Sequence, residues 1–187
     1  TAFAVEGRNE RVAPSARARL AAQLAELQLY GVLSPLEKLF EDPEPEVKVA
    51  VLTGMQTLFF KRTFVTMRAA LRDTAPTVIE RACTTIEALC FPHAFDPLVR
   101  ILREAKHERA KASAIAALTR IDTQEASEFM LSVLEHGSPA ERTAALNALK
   151  RTRGMRFSEI ARSMLPISSA ALQEPLREIL RARGINA

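Results

Sequence analysis

A thiol and an imidazole lie three residues apart in Cys90-Phe91-Pro92-His93, a spacing that a nucleophile with its base, or half of a metal site, could use. A structural zinc normally takes four ligands. His107 and His136 follow one and two loops later, with no paired spacing to complete such a set. A Cys–His nucleophile needs a third group to orient the imidazole, and none stands beside this pair. Carboxylates also crowd together at Glu41, Asp42, Glu44 and Glu46. Paired carboxylates can do acid–base work, but these lie where a helix is about to open, and negative charge there offsets the helix dipole. No Gly-rich phosphate loop, zinc motif or nucleophile elbow occurs. The reading is a chain without catalytic apparatus, expected not to be an enzyme and to need no metal and no cofactor.

The elements that must position any surface residues are helices. Of the 187 residues 48% are hydrophobic and 26% charged, with no Trp, one Tyr and six Gly, the balance of a folded protein rich in helix formers. No run of β-branched residues alternates with polar ones, so a sheet has no place to form. The two cysteines, Cys83 and Cys90, fall on one expected helix. Two helical turns hold their Cα atoms about 10 Å apart, beyond disulfide reach, so both are expected as buried, reduced thiols in a cytoplasmic protein. No apolar run is long enough to span a bilayer and no signal peptide opens the chain. The first residue is Thr, consistent with a piece of a larger protein.

Self-similarity is strong. Five pentads share an apolar or Ala residue, two variable positions and two apolar residues: Leu36–Phe40, Met67–Leu71, Leu98–Leu102, Met130–Leu134 and Ala161–Leu165. Their last residues are spaced 31, 31, 32 and 31 apart. A second set interleaves, ending at Leu27, Leu58, Leu89, Leu118, Leu149 and Leu180, with spacings of 31, 31, 29, 31 and 31. Each pentad belongs to a stripe such as Val47, Val51, Met55 and Leu58, which lines one face of a helix. The first set marks A helices near 34–41, 63–73, 94–105, 123–136 and 158–165. The second marks B helices near 11–30, 45–60, 76–90, 107–121, 139–152 and 168–182. Ser138-Pro139-Ala140-Glu141 reads as a capping box, and Asp122 with Glu125 reads as a second cap. Pro175 falls inside the last B helix and is expected to kink or shorten it. The array occupies 11–187 as one domain; residues 1–10 lack the pentad and form an N-terminal extension, with disorder one reading of it.

The turn Glu41-Asp42-Pro43-Glu44-Pro45-Glu46-Val47-Lys48 resembles the HEAT-repeat pattern, in which an acidic residue closes helix A and Val plus a basic residue opens helix B. Ser138-Pro139-Ala140-Glu141-Arg142 is similar, whereas Lys106-His107-Glu108-Arg109 departs from it. The short period resembles bacterial HEAT-like repeats, including those of bilin-attaching lyases. The resemblance implies an all-α, right-handed α-solenoid of stacked antiparallel helix hairpins, about 11 helices in all, acting as a binding scaffold.

Two surfaces follow. HEAT proteins usually line their concave side with the exposed stripe of the B helices, here Thr53, Gln56, Phe60, Thr84, Glu87, Phe91, Ser113, Arg120, Asn147 and Arg151. Small neutral side chains suit a helix or peptide, so the expected partner is an unknown protein or peptide. Phe60 and Phe91 would be anchors if exposed. The ends of the B helices gather Lys61, Arg62, Arg120, Lys150 and Arg151, a basic edge that complements helix dipoles and could alternatively meet nucleic acid. A third reading is a protein-modification accessory resembling the bilin-lyase subunits.

Overall fold

The computed structural model describes residues 12–185, so the sequence features at 1–11 lie outside the described residues. Eleven α-helices and two short 3₁₀ turns make up the described secondary structure, with no strand among the described residues. The residues through Leu89 form one compact unit and those from Cys90 a second.

The first unit holds α1 (Pro14–Glu26), α2 (Leu33–Phe40), α3 (Pro45–Met55), α4 (Thr63–Ala70) and α5 (Pro76–Ala88). The B helices α1, α3 and α5 each begin on a proline, at positions spaced by the repeat. Proline suits the first helical turn because its missing N–H would be unpaired there anyway. The residues before those prolines, Ala13, Glu44 and Ala75, carry the extended ψ that a following proline enforces. α3 packs on α1 and α5 on α3, while the A helices α2 and α4 form a second layer beside them. Leu33, Leu36, Leu39, Val47, Val51, Met55, Met67, Val78 and Ile86 are buried between the two layers.

The second unit holds α6 (Phe95–Glu104), α7 (Glu108–Leu118), α8 (Gln124–His136), α9 (Pro139–Arg151), α10 (Met155–Met164) and α11 (Ala170–Ala182). The B helices α7, α9 and α11 pack in succession, and α8 and α10 lie against each other as the A layer. Phe95 of α6 meets Phe129 of α8 edge to face, with ring centroids 5.7 Å apart. Within each unit this is the stacked-hairpin architecture of an α-solenoid: a single hairpin exposes an apolar flank that only the next hairpin covers.

Helix ends differ from the sequence reading at several points. α1 stops at Glu26 because Gln28 takes a left-handed backbone, φ +49°. Thr123, not Asp122, caps α8 by accepting the Ala126 N–H. Asp122 instead accepts the Arg156 N–H at the start of α10. Ser138 and Glu141 do form the capping box. α11 is not cut short by Pro175 and continues to Ala182. It closes on Gly184 at φ +73°, with Ile185 N–H bonded back to Leu180 O. That is the Schellman ending, for which glycine is suited because it has no Cβ to clash. Cys83 is buried as expected, whereas Cys90 is only half-buried.

Two staples bind the first unit, one per repeat. Arg17 on α1 reaches the turn after α2, where Nε and Nη2 donate to the two Asp42 oxygens at 2.7 and 2.9 Å. Lys48 on α3 reaches Asp73 after α4 at 2.7 Å. Each aspartate also accepts the N–H two residues on, from Glu44 and from Ala75. Asp42, one of the four carboxylates read as offsetting a helix dipole, thus has a more specific role as well. It is buried and holds a guanidinium and a backbone turn together.

Gly54 lets α3 approach α1 closely. A Cβ there would lie 2.6 Å from Ala25 Cβ and 3.5 Å from the Ala21 carbonyl on α1. One repeat later Thr85 faces α3 and donates to Leu52 O at 3.1 Å. Gly54→Val is expected to push α1 from α3 and lower stability by about 1–3 kcal/mol. A urea titration tests this; a midpoint equal to that of the parent would refute the close contact.

Candidate interaction surfaces

The B-helix faces form shallow grooves between neighbouring helices. In the first unit, Ala22 and Ala25 of α1 face Ala50, Thr53, Gly54 and Thr57 across a groove of about 360 Å³. In the second unit, Ala112 and Ile115 of α7 face Ala140 and Ala144 of α9 across about 280 Å³. A third groove of about 250 Å³ runs beside Thr143, Leu146, Ala171 and Pro175. Lys111 crosses the second, pairing with Glu108 at 3.3 Å and Glu141 at 3.5 Å.

The hydroxyls along these faces point inward. Thr53 donates to Val49 O at 2.7 Å, Thr57 to Gly54 O at 3.1 Å, Thr84 to Glu80 O at 3.1 Å and Thr143 to Pro139 O at 2.8 Å. Each threonine thus spends its donor on its own helix, a common use of Ser and Thr inside helices. What remains outward is largely methyl. The threonines that read as neutral-polar in sequence therefore present an apolar surface.

Of the sequence-selected positions, Thr53 lines a groove and Asn147, Arg120 and Arg151 are exposed. Gln56, Phe60, Thr84, Glu87 and Phe91 are half-buried. Ser113 is not surface at all. It is fully buried and hydrogen-bonded to Arg109 O, because its helix face is turned into the core. Phe60 stacks edge to face with Tyr30 at 5.3 Å. Sequence reasoning missed the larger exposed apolar group beside it: Leu27, Leu29, Tyr30 and Phe59 are each more than half exposed. The signal was present in Leu27-Gln28-Leu29-Tyr30 and Leu58-Phe59-Phe60, which hold more apolar residues than a turn requires.

Residues 65–150 match the family model of HEAT repeats. That segment carries HEAT repeats. No curated protein matches it. Among solved structures, the designed armadillo repeat protein YIII(Dq)4CqI is similar at 16% identity, covering 96% of this chain and 98% of that one, with a TM-score of 0.45. A second, YIII(Dq.V1)4CPAF in complex with the peptide (KR)4, is similar at 17% identity over 96% and 98% of the two chains, with a TM-score of 0.49.

Part of the expected basic edge is already neutralised. Arg62 donates to both Glu37 oxygens, at 2.8 and 2.6 Å, and to Ser34. The hydrogen bond to Glu37, and after it one to the Tyr30 oxygen, push the Arg62 guanidinium above its ordinary pKa. Lys150 pairs with Glu178. Lys61, Arg120 and Arg151 remain exposed. Burial pushes the Asp73 carboxyl up, but the Lys48 hydrogen bond and the Ala75 N–H outweigh it and hold the group below its ordinary value. Glu141 is likewise held low, chiefly by the Ser138 N–H. No group of three or more His, Cys, Asp or Glu able to hold a metal ion occurs among the described residues. No described helix is long and apolar enough to cross a membrane.

Proposed function

We propose that this chain is a non-enzymatic scaffold that binds a protein partner along its B-helix faces, receiving an apolar stretch of helix or extended peptide. One observation carries the reading: the threonines of these faces bond back to their own helices, leaving groove floors of Ala, Thr methyl and Leu, bordered by Glu26 and Gln28 in one groove and by Glu135 and Arg142 in another. Such a lining rewards burial of aliphatic side chains and offers phosphates few donors. Of the concave-stripe residues, Thr53 lines the first groove and borders the partner there. Nucleic acid along the basic edge is the weaker alternative, since Arg62 and Lys150 already hold carboxylates.

Selection of peptides from a displayed library against the full chain tests this. Aliphatic-rich sequences should emerge. Thr53→Arg with Thr57→Arg, which fills the first groove, should weaken those that bind there by about tenfold, or about 1.4 kcal/mol. Absence of any enriched peptide, together with tight duplex DNA binding that falls steeply with salt, would replace this reading by the nucleic-acid one.

A further inference from the structure

The whole net charge of the protein belongs to its second unit. Residues 1–89 hold eleven Lys and Arg and eleven Asp and Glu, whereas residues 90–187 hold fifteen against eleven. Within that unit, Lys150-Arg151-Thr152-Arg153-Gly154-Met155-Arg156 carries four cations and no carboxylate across the turn from α9 to α10.

This turn is held from two sides. Arg183, from the end of α11, donates through Nε to Leu149 O at 2.9 Å and through Nη1 to Gly154 O at 2.9 Å and Ser158 Oγ at 2.7 Å. Its Nη2 donates to Thr152 Oγ1 at 2.8 Å, and the guanidinium lies 5.1 Å from the Phe157 ring centroid. On the other side Asp122 accepts the Arg156 N–H at 3.0 Å and packs closely on Gly154, where a Cβ would lie 3.0 Å from its carboxylate. All of the Arg183 hydrogen bonds end on neutral oxygens, so a half-buried positive charge sits beneath the turn with no salt bridge. Above it, Arg151 and Arg153 are exposed and make no ion pair among the described residues. Arg156 has only a loose pair with Glu159, at 3.7 Å, with both side chains more than half exposed. Met155 stands between Arg153 and Arg156 with 68% of its surface exposed.

We infer that the α9–α10 turn is a docking site for an acidic protein segment that carries an apolar residue among its carboxylates. Charge complementarity selects the acid: several exposed arginines stand close together on a turn whose backbone is already held, so only their side chains lose freedom on binding. Met155 selects the apolar residue, since an adaptable thioether side chain set among cations gives a purely ionic ligand nothing. Nucleic acid fits less well. The aromatic ring of this turn, Phe157, is 4% exposed beneath Arg183, so bases have no face to stack on. The site is a different surface from the B-helix grooves and rests on the scaffold reading only in taking the occupant to be a protein.

The test measures binding of the full chain to three fluorescent probes of equal charge: a peptide of glutamates interspersed with leucines, a glutamate-only peptide and a single-stranded DNA. The Glu/Leu peptide should bind best, and its affinity should fall with salt. Arg151→Glu with Arg153→Glu should weaken it about tenfold or more, and circular dichroism should show an unchanged fold, because both side chains are exposed and unpaired. Met155→Ser should weaken the Glu/Leu peptide and leave the glutamate-only peptide unaffected. Unchanged affinity in the charge-reversed protein would overturn the inference. So would equal binding of both peptides with no effect of Met155→Ser, or tighter binding of the DNA at the same salt. Thr53→Arg with Thr57→Arg should leave this peptide bound, so loss of groove ligands alone counts only against the scaffold reading of the grooves.

Discussion

Asp42→Ala is expected to lower the unfolding free energy by about 3–5 kcal/mol, the cost of removing one partner from a buried ion pair. The Arg17 and Asp42 side chains are 6% and 2% exposed, and two charge-assisted hydrogen bonds join them. Alanine removes the carboxylate, strips Glu44 N–H of its acceptor and keeps the guanidinium in a place made for a pair. The loss arises from desolvated charge and not from lost packing. The double variant Arg17→Met with Asp42→Leu should therefore recover most of the stability, since apolar replacement of both members of a buried pair is often neutral. Asp73→Ala breaks the equivalent staple one repeat later, where Lys48 is 20% exposed, and should cost less. Because Asp73 is held below its ordinary value of 3.8, its contribution is complete at neutral pH. It is lost as the pH falls from that value through the lower folded pKa. Urea titrations of the three variants decide the matter. An Asp42→Ala protein as stable as the parent would mean that water already reaches the pair.

Much of the fold was legible because stacking imposes a strict burial requirement once per hairpin. Leu58, Leu89, Leu118, Leu149 and Leu180 close their pentads and are all buried. Leu27 closes its pentad in the same way and is 57% exposed. Its helix ends early at the left-handed Gln28, so the repeat register does not carry it into the core. The surfaces were less legible for a related reason. A one-dimensional pattern ranks positions by helix face, but the grooves lie between helices, a step to the side of the crest where Gln56 and Asn147 sit. Ser113 reads as polar and outward, yet its hydroxyl finds Arg109 O and the residue can be buried without an unmet donor. Asp42 reads as one of four acidic residues at a helix start; its different role depends on Arg17, 25 positions earlier, reaching across the stack. Local spacing carries no information about such pairs.

Arg183 shows how far one such long-range contact extends, and Arg183→Ala is expected to cost about 3 kcal/mol. Hydrogen bonds from charged groups contribute about 1.5–3 kcal/mol each and a cation–π contact about 0.5–2 kcal/mol, with sums that fall well short of additivity. Four acceptors lose a donor at once: Leu149 O, Gly154 O, Thr152 Oγ1 and Ser158 Oγ. The Phe157 face opens at the same time. Burial lowers the Arg183 pKa, opposed in part by Asp122, so the side chain is held by its donors against a desolvation penalty. Arg183→Lys should not rescue the loss, because a lysine places one compact charge where a planar fork now reaches two backbone and two side-chain oxygens. Hydrogen exchange gives the more telling readout. Amides at 152–158 should lose protection in both variants, while those of the first unit, whose staples are its own, should keep theirs. Full stability in Arg183→Lys would show that charge alone, and not the fork, holds the turn, and protection at 152–158 that survives Arg183→Ala would show that Asp122 fixes it unaided.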